Sequence, residues 1–244
     1  MVKQSDFLIL SNEKVVAGVY KMVLSGDTSA ITTAGQFVNL ALDGLYLRRP
    51  ISVCDLDKDK LTLIYKVVGK GTEQMASLLA GSSLNLLTGL GNGYDLSLSG
   101  DHPLVIGGGV GIPPLYLLVK RLLEQGKQPT AILGFNQAEE VFYREEFEKL
   151  CPTYLTTVDG SAGIKGFVTN ALPLCGGYSY FYTCGPLPML KAVYDASKTS
   201  GQFSFEERMG CGFGACMGCS CKTKYKNKRI CKDGPVLMKE EIVW

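Results

Sequence analysis

The chain has 244 residues, of which 46% are apolar and 20% charged, ordinary proportions for a globular protein and enough length for two compact domains plus a small appendage. A formal net charge of +2, with no basic block or aromatic-interleaved Lys/Arg stripe expected to act as one, argues against nucleic-acid binding, and the lack of any run of about 18 apolar residues argues against a membrane span. No targeting segment is visible in Met1–Asp6, so a cytoplasmic location with reduced thiols is expected, and the single histidine, His102, cannot build a Ser-His-Asp hydrolase.

Residues 1–100 read as short strands broken by Gly, Asn and Asp. Val15–Leu24, Gln36–Leu42 and Leu61–Val68 are the strand-like stretches, and Thr72–Leu79 is a short helix. Regular short strands separated by turn residues predict a small antiparallel barrel. From His102, read as a surface residue at a domain boundary, the pattern changes over 101–202. An apolar run, Pro103–Ile106, meets Gly107-Gly108-Gly109-Val110-Gly111, and a helix follows over Leu115–Gln125. A strand (Pro129–Phe135), a helix (Glu139–Leu150), two more strands (Thr153–Val158 and Tyr178–Thr183) and a helix from Pro188 to Thr199 complete a parallel α/β pattern. The remainder, 203–244, is too short for a core of its own, and a metal centre would supply the missing stability.

Five of the nine cysteines crowd into that remainder. Cys211, Cys216 and Cys219 have the C-x4-C-x2-C spacing of plant-type 2Fe–2S proteins, with Cys231 as the natural fourth ligand and Cys221 as a spare thiol. The competing reading is structural zinc, which usually takes its ligands as two short pairs rather than a triplet plus a single. Gly107, Gly108, Gly109 and Gly111, between a strand and a helix, suit close approach to a pyrophosphate, although the same run also serves as a tight turn. Arg48-Arg49-Pro50-Ile51-Ser52, expected at the end of a strand, and Gly69-Lys70-Gly71-Thr72 at a helix start offer a second phosphate site or, alternatively, solvated barrel edges. Cys184, in Thr183-Cys184-Gly185-Pro186, stands at the carboxyl edge of the sheet, where α/β ligands bind, or is a buried small thiol.

The ordered set of Arg49-Pro50-Ile51-Ser52, Gly107–Leu115, Cys184-Gly185-Pro186 and a terminal cysteine cassette resembles the ferredoxin–NADP reductase superfamily. Glu206–Cys216 and Cys231-Lys232-Asp233-Gly234-Pro235 narrow the resemblance to the electron-transfer subunits of dihydroorotate dehydrogenase B. It runs over essentially the whole chain. The resemblance implies FAD on the barrel, with Arg49, Pro50, Ile51 and Ser52 lining the flavin and its phosphates. Ile64, Tyr65 and Lys66 border the flavin, and Gly71 and Thr72 hold the pyrophosphate. Many reductases of the superfamily have tyrosine where Ile51 stands, so flavin stacking differs here.

The resemblance further implies Cys184 at the reacting nicotinamide, NAD as acceptor at Gly107–Gly111, and a 2Fe–2S cluster on Cys211, Cys216, Cys219 and Cys231. It implies a separate FMN-containing dihydroorotate dehydrogenase subunit, in a heterotetramer of two subunits of each kind. After the second α/β strand, Gly134–Glu140 offers no arginine for a 2′-phosphate, which favours NAD over NADP. Two rival readings stand beside this one: an NAD(P)H-linked flavin and iron–sulfur subunit of another oxidoreductase, and a colourless zinc-stabilised binding module.

Overall fold

Segments whose apolar side chains alternate with polar ones fold as strands buried on one face, and six of them close the N-terminal part into a barrel. The computed structural model describes residues 1–244. Its first strands are β1 (Lys3–Val16), β2 (Val19–Ser25), β3 (Phe37–Leu40), β4 (Arg49–Asp57) and β5 (Lys60–Lys66); helix α1 (Lys70–Ala76) and strand β6 (Ser83–Leu90) follow. The barrel closes in the order β1-β2-β5-β4-β3-β6, antiparallel throughout. Alternation is cleanest in β6, where Leu84, Leu86, Thr88 and Leu90 are buried and their neighbours are not.

Two barrel expectations need correction. Val15–Leu24 is not one strand but the end of β1 and most of β2, because Gly18 at φ +72° turns the chain and pairs Val16 with Val19. Arg49–Ser52 opens β4 instead of closing a strand.

Beyond the barrel the central strands of the sheet are buried almost throughout, as suits strands covered on both faces. The elements are β7 (Pro103–Gly108), α2 (Pro113–Glu124), β8 (Thr130–Phe135), α3 (Arg144–Glu148), β9 (Thr153–Thr157), β10 (Ile164–Lys165), α4 (Val168–Ala171), β11 (Tyr180–Cys184), α5 (Leu187–Ala196) and β12 (Gly201–Ser204). The cysteine-rich segment adds β13 (Ser220–Lys222), β14 (Asn227–Arg229), α6 (Ile230–Asp233) and β15 (Val236–Met238). The sheet runs β10-β9-β8-β7-β11-β12-β15 and is parallel except at its edge, where β15 lies antiparallel to β12. No helix is long and apolar enough to cross a membrane.

The helix expected over Glu139–Leu150 is interrupted. A single turn at Ala138–Glu140 is separated from α3 by Tyr143, which sits at φ +61° and cannot continue a right-handed helix. Packing explains the break. The Tyr143 ring is buried edge-to-face on Tyr116 at 5.3 Å, with the Lys21 ammonium 5.7 Å from its centroid.

Two apolar clusters hold the molecule together. One joins the barrel interior (Phe7, Met22, Leu40, Leu63) to Leu115, Leu118 and Leu122 of α2. The other lies on the opposite face of the sheet, where Ile106, Phe181 and Phe203 meet Leu190 and Val193 of α5. Cys219, Ile230 and Cys231 belong to that second cluster, so the cysteine segment borrows its core from the sheet. Each large apolar side chain buried there contributes about 1.5–3 kcal/mol. Barrel and sheet are also pinned by polar links: the Tyr94 hydroxyl donates to the Thr183 carbonyl at 3.1 Å, and Lys120 meets Asp55 at 2.6 Å.

Candidate functional site

A cleft of about 480 Å³ runs between the barrel and the sheet. β4 contributes Arg49, Pro50, Ile51 and Ser52; β5 contributes Ile64, Tyr65 and Lys66; α1 contributes Gly71 and Thr72; and Cys184 lies in the opposite wall. All residues expected at the flavin therefore share one cavity with Cys184. Arg48 does not. Its guanidinium donates to the Asn39 and Asn85 carbonyls at 3.2 Å and to Asn85 Oδ1 at 2.7 Å, which commits it to the β3–β6 ladder.

Local chemistry shapes this wall. The Thr72 hydroxyl accepts from the Val68 and Gly69 N–H groups at 2.8 and 3.2 Å and donates to the Gly69 carbonyl, so it builds the turn ahead of α1. A Cβ at Gly71 would lie 2.8 Å from Cζ of Arg49, so the guanidinium rests directly on glycine backbone. Tyr65 is buried, stacks on Tyr20 at 5.9 Å and donates its hydroxyl to Asn12 Oδ1 at 2.9 Å, which makes it a rigid side of the cleft.

The sequence reading missed the cleft's other lining residues, notably Val110, Phe205, Glu206, Met209 and Pro235. They come from segments after β7 and β12 whose approach to the barrel leaves no local signal. Glu206 is exposed as a residue, yet the walls around its carboxyl desolvate it and raise its pKa. Burial, with Glu206 adding to it, pushes the Cys184 thiol up to about 12, so it stays neutral and is a wall group, not a thiolate nucleophile.

A second cleft, of about 490 Å³, opens where β8 and β9 depart to one side of β7 and β11 to the other. Such a switch in strand order leaves a crevice at the carboxyl ends. The glycine run divides its labour there. Gly108 and Gly109 line this cleft; Gly107 and Gly111 lie behind it. A Cβ at Gly107 would meet Ile112 Cγ1 at 2.7 Å, and one at Gly111 would meet the Cys184 carbonyl carbon at 2.5 Å. Those two glycines let the turn close on its neighbours. On the far rim the Asn136 amide donates to the Glu140 carboxylate at 2.8 Å.

In the cysteine segment, the Ala215 and Cys216 N–H groups donate to Cys211 Sγ at 3.3 and 3.4 Å, and the Cys231 N–H donates to Cys219 Sγ at 3.4 Å. Burial opposes ionisation of Cys211, but the Cys216, Phe213 and Ala215 N–H groups outweigh it and bring the thiol down to about 6. Cys219 and Cys231 are buried and Cys216 is exposed. Arg229 ties the loop to α6, donating to the Gly214 carbonyl at 2.8 Å and pairing with Asp233 at 3.1 Å. No three metal-ligating side chains close on one point, the four cysteines of the expected cluster included. Cys221 sits within β13, opposite Lys228.

The expectation of a chain without a basic block also needs correction. Lys222, Lys224 and Lys226 are exposed together where β13 turns into β14, while Lys228 pairs with Glu241.

The iron–sulfur cluster binding domain of dihydroorotate dehydrogenase B matches residues 206–243, and the oxidoreductase NAD-binding domain matches residues 105–195. The dihydroorotate dehydrogenase B (NAD(+)) electron transfer subunit of Fusobacterium nucleatum is 42% identical over 256 residues, covering 99% of both chains. The chain belongs to this family of electron-transfer subunits. The corresponding subunit of Lysinibacillus sphaericus is 42% identical over 252 residues, covering 98% of each chain.

Among solved structures, an NADH-dependent reduced ferredoxin–NADP oxidoreductase studied for flavin-based electron bifurcation aligns with a TM-score of 0.89 and 28% identity, over 98% of this chain and 90% of that one. A ferredoxin NADP+ reductase from Neisseria gonorrhoeae aligns with a TM-score of 0.70 and 18% identity, over 80% of this chain and 90% of that one, and shares the fold. Membership in the dihydroorotate dehydrogenase B family makes the cysteine cassette an iron–sulfur segment and removes the zinc reading. The barrel and sheet are those of the ferredoxin–NADP reductase superfamily.

Proposed function

We propose that this subunit carries electrons from the FMN of a dihydroorotate-oxidising partner to NAD, through a 2Fe–2S cluster on Cys211, Cys216, Cys219 and Cys231 and an FAD in the barrel cleft. In the cell it works in the cytoplasm, in a heterotetramer with two FMN-bearing partners. One observation carries the reading: the barrel cleft is lined both by Val110 and Cys184, next to the glycine turn, and by Met209 and Pro235 of the cysteine segment. A flavin there stands between nucleotide and cluster.

Together the bound groups supply exchange between single electrons and a hydride. The protein's part is placement. Arg49, resting on Gly71, and Lys66 and Lys70 offer positive charge to the pyrophosphate. Cys184 gives the reacting face a neutral, water-excluding wall. Gly108 and Gly109 admit the dinucleotide backbone, and the Glu140 carboxylate, braced by Asn136, accepts ribose hydroxyls and repels a 2′-phosphate. Phe213 and Met217 are exposed on either side of Cys216, an apolar rim suited to a docked partner.

Arg49→Ala is expected to weaken FAD binding by about 10- to 100-fold, the worth of one charge-assisted hydrogen bond to phosphate. Titration of the apoprotein with FAD measures it, and an unchanged affinity would place the pyrophosphate elsewhere. The whole reading is tested by purifying the chain anaerobically with its captured partner and recording its visible spectrum with NADH. Bleaching of a flavin band and an iron–sulfur shoulder, beside an FMN protein that oxidises dihydroorotate, is the expected result. A colourless preparation overturns the reading, and a bleached one with a different oxidoreductase partner discards the dihydroorotate assignment alone.

A further inference from the structure

Asn39 lies in β3, the strand paired with the flavin motif, where it stands opposite Pro50 while Leu40 stands opposite Arg49. It is only 1% exposed. Its side chain nevertheless leaves the barrel: Nδ2 donates to the Cys211 carbonyl at 3.3 Å, across 172 residues of sequence. The other amide atom, Oδ1, is buried with no partner. An unpaired buried polar atom costs stability. A leucine of similar size would avoid that cost, so what Asn39 adds at this position is the donor aimed at Cys211.

We propose that Asn39 is a positioning residue of the iron–sulfur cluster, setting the turn that aims backbone N–H groups at the Cys211 sulfur and thereby raising the cluster's reduction potential. The proposal rests on the reading of the cassette as a 2Fe–2S site. The Cys211 carbonyl is turned toward the barrel by the Asn39 amide. Gly212 then reverses the chain at φ +81°, flush against that amide, with a Cβ there falling 3.3 Å from Asn39 Cγ and closer still to Nδ2. The reversal brings the Ala215 and Cys216 N–H groups back onto Cys211 Sγ at 3.3 and 3.4 Å. Donors to a ligating sulfur stabilise the extra negative charge of the reduced cluster, which makes reduction easier.

Asn92 supplies the contrast. It ties the other arm of the cassette to the barrel, its Nδ2 donating to the Val236 carbonyl at 2.8 Å and its Oδ1 accepting from the Val236 N–H at 3.1 Å. Both of its amide atoms are satisfied, and neither bonds to a cysteine. Asn92 is a brace; Asn39 is a brace that reaches a cluster ligand.

The test uses the full chain with FAD and cluster in place, comparing the parent with Asn39→Leu, Asn39→Ala and Asn92→Leu by EPR-monitored redox titration. Both Asn39 variants are expected to keep their flavin and iron while the cluster potential moves to more negative values and its EPR signal changes shape, with the flavin potential unmoved. Asn92→Leu is expected to lower the melting temperature without moving the cluster potential. An Asn39→Leu or Asn39→Ala protein that melts earlier but titrates like the parent overturns the proposal. So does failure of both to fold, or retention of flavin with no iron in either, since Asn39 would then serve assembly and not tuning. A parent protein with no iron–sulfur signal on reduction overturns the underlying cluster reading instead.

Discussion

The Cys216→Ser protein is expected to hold a full complement of FAD and little iron, and to lose dihydroorotate-dependent NAD reduction. Cys216 is exposed, so the packing change on substitution by serine lies within about 0.5 kcal/mol. The residue contributes nothing to the barrel cleft. What serine removes is a proposed iron ligand. Loss of a partner that merely orients a ligand costs about 10- to 100-fold in metal affinity or activity, and loss of the ligand itself should exceed the upper figure. Reduction by NADH of a dye that draws electrons from the flavin should survive. Iron analysis with the two assays side by side checks this, and Cys221→Ser is the control that should retain everything. Iron lost from the Cys221 variant and kept by the Cys216 variant would reassign the ligand set.

Gly111→Ala and Gly109→Ala are expected to fail in opposite ways. At Gly111 the added carbon meets the Cys184 backbone at 2.5 Å and Gly185 Cα at 2.6 Å. Main chain in a central strand has nowhere to go, so the cost should reach the upper end of the roughly 1–3 kcal/mol of overpacked cores. At about 2–4 °C per kcal/mol for a chain of this size, thermal melting reads it directly. Cys184 lines the barrel cleft, so its displacement should also disturb the flavin spectrum. Gly109 has open space around it, and its φ of +52° costs an alanine about 1–2 kcal/mol. There the expected loss is chiefly in NADH affinity, measured by titration of the flavin absorbance, with the melting temperature lowered less than in Gly111→Ala. Equal effects on stability would mean that the run acts as one structural turn.

The contrast between these two glycines shows where sequence reading stops. A strand running into Gly107–Gly111 is a local pattern, visible as it stands; which glycine faces a ligand and which admits a neighbour depends on β11, brought alongside from some seventy residues away. The same division holds elsewhere. Cys211, Cys216 and Cys219 announce themselves by spacing, and Arg49–Ser52 by its company, because both are short-range. Glu206 and Met209 in the cleft, and Asn39 under Cys211, depend on long-range packing and leave no mark in composition or period. Tyr143 carries a helix-compatible sequence on both sides, and only the ring's burial against Tyr116 forces it out of the helix. Lys222, Lys224 and Lys226 are the opposite case. Their run is plain in the sequence, and a net charge near zero hides it.

β12 and β15 pair directly, with Ser204 opposite Val236. In the path of the chain, the entire cysteine cassette is thus the loop of one hairpin, grown from a turn into a redox module. Its two feet stand a strand's width apart on the edge of a finished sheet. Lengthening such a loop adds only about 0.6 kcal/mol of closure entropy per doubling, and no strand need be rethreaded. A two-electron reductase can therefore acquire or shed a one-electron port at this edge while its nucleotide cleft and the barrel side of its flavin cleft keep their walls, and the kind of partner it serves becomes a property of a replaceable loop.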